Sequence, residues 1–328
     1  PVSTQQGVDL NFTSAEFTMS IDDFGQRFLK PGMTVLASVI DFGALAMTLD
    51  VSNSVGSPGT TPSTLLVWQQ AMAKLDNNLA PRDGERTAIL NPDAMAATVS
   101  GLSTLFNDGD AIADQYRSGV MKRAIDLKWA IDQNIRNITT GTHSGTISVS
   151  TPLPATGDSF IRVDWTSGIA TDTFTKGEVF TVGSVFAVNQ ETKQTLNYLQ
   201  QFVVTTAATG ASSIATLSVS PTLYTSASGG LQNISALPAD NAAVTFYGTT
   251  SSTVYPQNLI FHRDAFTFAT ADLKLPQNQQ MASRKVQDGI SLRIWQGTDI
   301  VNDEWPTRSD VLWGCVTTYP QLATRVWG

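Results

Sequence analysis

Cysteine occurs once in 328 residues, at Cys315, and histidine twice, at His143 and His262. A single thiol excludes an internal disulfide framework and a thiolate-rich metal site, and it fits a reducing compartment. Two imidazoles 119 residues apart leave no ligand set for a histidine-rich zinc or iron centre. No metal or cofactor is therefore expected. Charge is scarce as well, at 15% of residues, where an average soluble domain carries about 25%. Lys and Arg number 20 against 28 Asp and Glu, a net charge of -8, so the clustered cations that hold a phosphate backbone are missing. Tight phosphate-backbone binding, and with it nucleic-acid recognition, is not expected on that ground. No window approaches 18 unbroken apolar residues, which argues against a membrane span. The first twenty residues show no basic stretch leading into an apolar core, so no export signal is expected. The opening Pro1-Val2-Ser3-Thr4 has no initiator methionine, and processing or shortening of the chain is expected.

What is present suits a folded chain. Hydrophobic residues make up 41%, with 7 Trp and 15 Phe, and the polar side is carried by 29 Ser and 41 Thr. At this length about three quarters of the unfolded surface can be buried. Charge density divides the sequence: 137–262 holds nine charges in 126 residues, and none falls between Gln194 and Ala239. That stretch has short alternating runs, Thr146–Val149, Phe160–Trp165, Val179–Val182 and Phe202–Val204, bounded by Gly, Pro or Asp, and predicts a small antiparallel β-module. A disordered Ser/Thr linker is the competing reading, strongest for Thr205–Pro238.

The flanks carry helical periodicity. Ser20 can cap a helix with Asp22 and Asp23 at its positive end. Ile21, Phe24, Phe28, Val35, Val39, Phe42 and Ala46 then form one apolar stripe, bent rather than ended at Pro31. A second helix carries Leu65, Trp68, Met72, Leu75 and Leu79. A third opens at Asn91-Pro92 with Met95, Val99, Leu102 and Leu105 inward. Arg86–Leu90, Asn258–Thr270, Gly289–Thr298 and Asp310–Tyr319 read as strands. The whole is α+β with a β-rich insertion.

Chemistry-bearing motifs are wanting. His262-Arg263-Asp264 and Asp41-Phe42-Gly43 spell pieces of the protein-kinase signature. However, Ala269 stands where a metal-binding Asn is required, and Asp-Phe-Gly precedes the other triplet by 221 residues instead of following it. Gly141-Thr142-His143-Ser144-Gly145 resembles a hydrolase elbow only in outline, and reads as the entry turn of the insertion. Paired carboxylates, Asp22-Asp23, Asp108 with Asp110 and Asp303-Glu304, have helix-end or turn roles available. Trp295, Trp305, Trp313, Tyr319 and Trp327 could form a sugar-binding platform, although aromatics in alternating segments more often anchor cores or interfaces. No catalytic, cofactor-binding or metal-ligating residue is assigned, and no enzyme activity is expected.

The flanks resemble the major coat proteins of tailed phages, in particular the P-twenty-two-like coat family of short-tailed phages. The residues that carry this are Ser20–Phe24 with Arg27, Lys30-Pro31 and Met33; Lys74-Leu75-Asp76, Pro81–Arg86 and Leu90-Asn91-Pro92; Leu105-Phe106; and Asp132–Ile135 with Thr140-Gly141. They continue in Phe186–Asn189, Lys193-Gln194, Leu199–Val203, Gln257-Asn258-Leu259, Phe261–Phe266, Gly289–Trp295, Trp305–Arg308 and Tyr319-Pro320. Their order spans almost the whole chain.

The resemblance implies a Hong Kong 97-type capsid fold, with a kinked spine helix, peripheral and axial domains and an inserted small antiparallel β-domain. It divides the chain into 1–56 (end of the extended loop, and the spine helix), 57–138 (peripheral and axial), 139–256 (insertion) and 257–328 (axial and peripheral, C-terminal strands). Pro1–Thr18 resembles only the stretch just before the spine, so the family's arm and most of its extended loop have no counterpart here. The implied function is an icosahedral head shell enclosing double-stranded DNA, located in the virion and assembled in the host cytoplasm. The implied partners are copies of the same chain in hexamers and pentamers, a scaffolding protein, a portal protein at one vertex and a cement or decoration protein, with no membrane. A β-rich extracellular adhesin or carbohydrate-binding protein is the alternative.

Overall fold

In chain order the first elements are β1 (Thr4–Leu10), α1 (Lys30–Ala44) with a 3-10 extension to Asp50, β2 (Ser54–Val55), α2 (Leu65–Asn77), β3 (Arg86–Leu90) and α3 (Pro92–Gly101). Short strands follow: β4 (Lys128–Ile131), β5 (Asn137–Thr139), β6 (Ile147–Val149), β7 (Phe160–Trp165) and β8 (Thr173–Phe174). Next come β9 (Val179–Val188), β10 (Thr195–Val204), β11 (Ala208–Thr209), β12 (Ile214–Ser220) and β13 (Ala243–Phe246). The chain closes with β14 (Val254–His262), β15 (Phe266–Ala271), β16 (Met281–Gln287), β17 (Ile290–Gln296), β18 (Thr307–Thr317) and β19 (Ala323–Trp327). This computed structural model describes residues 2–13, 30–101, 118–119, 121, 123–143, 145–166, 171–277, 281–287 and 289–328.

Two units form. The first, Pro1–Met47 with Phe266–Thr317, is an antiparallel sheet in the order β1-β18-β17-β16, with β15 also on β18. Helix α1 lies on this sheet through Leu36 and Ile40, which pack with Val311 and Trp313. Sequence periodicity chose the wrong face. Val35, Val39 and Phe42 are exposed, because the apolar arc of this half of the helix, opposite Lys30, Thr34, Ser38 and Asp41, is wider than one stripe, and the sheet contact decides which part of it is buried. The expected cap at Ser20, the Asp22-Asp23 pair and the helix up to Leu29 lie outside the described residues. Lys30–Asp50, with mean hydropathy 1.7, is long and apolar enough to cross a bilayer, although no unbroken apolar run announces it. Here Leu36, Ile40, Leu45 and Thr48 are buried, the first two against the sheet.

The second unit, Thr48–Ala265 with Thr318–Gly328, holds a six-stranded sheet, β2-β19-β14-β3-β4 with β5 on β14, and a closed barrel, β10-β12-β7-β6-β13-β9. All six barrel strands come from one continuous run. β7 and β12 alternate as expected of strands with one face inward, burying Ile161, Val163, Trp165, Ala215, Leu217 and Val219. Leu223 and Ile234 are fully buried, so Thr205–Pro238 contributes to the barrel core rather than forming a loose linker. Helix α2 buries Trp68, Ala71, Met72 and Leu75 at helical spacing. It ends earlier than its pattern suggests: Leu79 leaves the helix with φ 61° and is exposed. Helix α3 starts as predicted, with Asn91 Oδ1 accepting from the Ala94 N–H at 2.9 Å and Pro92 as first residue. Leu102 and Leu105 lie outside the described residues.

Asn258–Thr270 is not one strand. It breaks at Arg263–Ala265, where the Asp264 N–H donates to His262 Nδ1 at 3.3 Å and the Ala265 carbonyl accepts from Thr318 and Tyr319. The two halves, β14 and β15, serve different units. β18 starts at Thr307, earlier than expected, and ends at Thr317.

Candidate functional site

The two histidines are held apart, each in its own structural role. His143 follows β5 at the barrel entrance, 4% exposed, its ring stacked on Phe174 with centroids 5.2 Å apart. Its Nε2 is 2.9 Å from Glu178 Oε1. That carboxylate is fully buried and also accepts from the N–H groups of Gly141, at 2.7 Å, and Thr175, at 2.8 Å. Gly141 allows this approach, since a Cβ there would meet the Thr173 carbonyl at 1.8 Å. Gly141–His143 of the hydrolase-like pentapeptide are therefore packed in a turn organised by Glu178, a residue that sequence reading passed over. Its one signal was being among nine charges in an otherwise neutral stretch.

His262, 1% exposed, accepts the Asp264 N–H at Nδ1, so Nε2 carries the proton and donates to Asp83, 3.1 Å from both carboxylate oxygens. The Glu85 backbone N–H and His262 together hold the Asp83 carboxyl below its ordinary range. A third polar cluster joins α2, the sheet and the barrel. Lys74 Nζ donates to Gln201 Oε1, which also accepts from Ser54 N at 2.9 Å, while Gln201 Nε2 donates to Ser54 O and to the Tyr247 hydroxyl. The ammonium sits 5.0 Å from the Tyr198 ring centre, and burial pushes its pKa down to about 8. In β19 the Arg325 guanidinium, also buried, is pushed down to about 9 and donates to Gly177 O at 2.8 Å.

The remaining candidates do not converge. Asp303, at φ 53°, and Glu304 sit in the β17–β18 turn, where Glu304 accepts from Asn11. Asp22, Asp23, Asp108 and Asp110 lie outside the described residues. Cys315 is half-buried in β18, its thiol 3.9 Å from the Gly43 carbonyl. The aromatics share no platform: Trp313 and Trp327 are buried in different cores, Trp295 and Trp305 are half-buried, and Tyr319 is exposed. Among the described residues no group of three or more His, Cys, Asp or Glu could hold a metal ion. These contacts fasten the fold together.

A family model described as "P22 coat protein - gene protein 5" matches residues 18–326. The chain belongs to the P22 coat protein family. This coat protein is a major capsid protein that self-assembles into the phage head shell, and its place is the virion capsid. Its family is a structural one, not an enzyme class. The match displaces the adhesin alternative.

Its fold of mixed helix and sheet is similar to solved phage capsid chains. One from Mycobacterium phage Che8 is 11% identical, with 99% of this chain and 71% of that one covered at TM-score 0.47. The capsid structure of cyanophage P-SCSP1u is 10% identical, covering 99% and 72%, also at 0.47. The CUS-3 coat protein I-domain is 23% identical, covering 32% of this chain and 96% of that one at 0.23. No curated protein sequence matches this coat protein. For a self-assembling subunit the working parts are surfaces, and the motif search, aimed at catalytic residues, had no signal for them. Among the described residues the most exposed large apolar side chains are Ile300 and Val301, in the β17–β18 turn.

Proposed function

We propose that this coat protein closes into an icosahedral head of hexamers and pentamers around double-stranded DNA, with a Hong Kong 97-type fold. A scaffolding protein takes part during assembly in the host cytoplasm, a portal protein occupies one vertex, and a cement or decoration protein can reinforce the finished shell. The family match over 18–326 is the observation that carries this reading. Low positive charge supports an inner surface that confines DNA without adsorbing it, since tight backbone binding needs clustered Lys and Arg.

Residues 139–256 act as an inserted domain that braces neighbouring subunits and sets shell size. Supporting this, the run leaves and re-enters through paired strands, with Thr139 opposite Val254 and Thr140 N donating to Thr253 O at 3.0 Å. An element whose ends meet in adjacent strands can be inserted without disturbing its host. The remaining divisions are 1–56 as the end of the extended loop and the spine helix, 57–138 as peripheral and axial, and 257–328 as axial and peripheral with the C-terminal strands. Deleting Gly141–Thr253 with a short linker across the gap tests the bracing role. Shells of altered size or reduced yield are expected; unchanged size and yield would contradict it.

A further inference from the structure

Ile300 and Val301 are 96% and 86% exposed, so folding of the single chain gains almost nothing from them. The turn that presents them is nonetheless built firmly. Asp299 N donates to Glu304 O at 2.8 Å and Glu304 N returns to Asp299 O at 3.1 Å. Asp299 Oδ1 accepts the Val301 N–H at 2.9 Å, and Asn302 Nδ2 donates to Asp299 Oδ2 at 2.8 Å. The base is anchored by the Trp305 N–H on Phe12 O at 2.7 Å and by Asn11 on Glu304. An apolar pair held out on a stiff turn is preorganised for a contact the lone chain does not make.

The same unit carries a matching recess. Helix α1 covers β18 but leaves β17 and β16 half open, and a cavity of about 310 Å³ remains, lined by Met33, Ile40, Ile290, Leu292 and Val311, with Lys285 at its lip. Lys285 has no ion pair among the described residues, whereas its neighbour Arg284 pairs with Asp272 at 3.3 Å. The knob is the acidic counterpart, its two apolar residues flanked in the turn by Asp299, Asp303 and Glu304. Asn302 and the Val301 N–H hold the Asp299 carboxyl below its ordinary range, which keeps it charged.

A knob cannot reach the recess of its own chain. The ladder continues outward past β17 through Gly297–Pro306 and Asp299–Glu304. Asp299 thus lies about 23 Å beyond Leu292, at roughly 3.3 Å per residue. Knob and recess are different patches at different ends of one strand pair, so their pairing is heterologous, the kind that propagates into rings.

We propose that the Ile300–Val301 turn of one copy docks into the recess between α1 and β16–β18 of the next copy, with its acidic flank facing Lys285. This rests on the shell reading above.

The test is disulfide trapping in assembled particles, in a Cys315→Ser background so that no other thiol is present. Val301→Cys with Ile290→Cys in the same chain should give, on oxidation, a ladder of covalent oligomers. Each single variant should stay monomeric on the denaturing gel, and co-assembly of the two single variants should give dimers and no longer ladder. Ile300→Ser with Val301→Ser should raise the protein concentration needed for assembly about tenfold while leaving the melting temperature unchanged. Particles that form without cross-links in the double variant would overturn this contact and leave the shell reading intact. Linking by Val301→Cys alone, or capture of Ile290→Cys by a co-expressed scaffolding protein, would also overturn it. Failure of the unsubstituted chain to form particles with its scaffold would remove the shell reading, and this contact with it.

Discussion

Arg325 in β19 donates from Nη1 to the carbonyl oxygen of Gly177 over 2.8 Å, with both groups out of water. The bond ties the C-terminal strand of the six-stranded sheet to the turn that opens β9 of the barrel. Among the described residues the Nε and Nη2 of Arg325 find no hydrogen-bond partner, so the guanidinium is held there by one strong contact, a longer one to Gln257 at 3.4 Å and the Trp327 ring.

Arg325→Ala leaves the Gly177 carbonyl unsatisfied and opens a cavity beside Trp327. A loss on the order of 3 kcal/mol is expected, seen as a lower urea midpoint at unchanged slope. Arg325→Met fills the space and relieves the buried charge, so it should cost less than the alanine variant. Equal losses would show that the cavity and the buried charge carry no weight.

Glu178 is the acceptor for three groups at the barrel entrance, from Gly141, Thr175 and His143. Glu178→Ala strands the buried Gly141 N–H and the partly buried Thr175 N–H and should destabilise the unit by about 3 kcal/mol, and Glu178→Gln, which keeps one acceptor oxygen, by about half as much. Denaturant titration of both variants checks the order. If alanine and glutamine behave alike, the hydrogen bonds are not what holds the turn.

The Lys74 ammonium gives stability a definite pH dependence. Its pKa is about 8 in the folded chain and 10.5 in the open one, so between those values the unfolded state binds more protons and stability rises with pH. Compared with Lys74→Met, the unsubstituted protein should gain about 2 kcal/mol across that window, allowing for partial exposure of the side chain. Parallel urea titrations at both ends of the window test it. A constant difference between the two proteins would mean the ammonium is not desolvated.

Gly43 on α1 meets the Trp313 indole so closely that a Cβ would stand 2.4 Å from the ring carbon Cη2. Trp313 is buried, so it cannot swing aside. Gly43→Ala should cost about 2 kcal/mol through overpacking, outweighing the helix propensity it gains, with a shift in tryptophan emission. An unchanged or higher melting temperature would indicate that helix and sheet separate without penalty.

Local pattern determined much of this fold. Asn91-Pro92 starts α3 because capping and a preset φ act within one turn, and β7 alternates because one face lines the barrel. Choices made by distant partners were not legible. The buried stripe of α1 runs through Leu36 and Ile40 and not Val35, Val39 and Phe42, because both lie within one wide apolar arc and the sheet selects the part it covers. Asn258–Thr270 breaks at Arg263–Ala265 because the two halves serve different sheets, which alternation cannot announce. Lys74, Gln201 and Ser54, far apart in sequence, meet only once the barrel is closed.

Self-assembly is tested most directly by the mass of the particles formed. The chain would be expressed with and without a scaffolding protein from the same genome, then followed by light scattering and negative-stain microscopy. Closed shells of megadalton mass are the predicted result. A species that stays between monomer and tetramer with the scaffold present would contradict it.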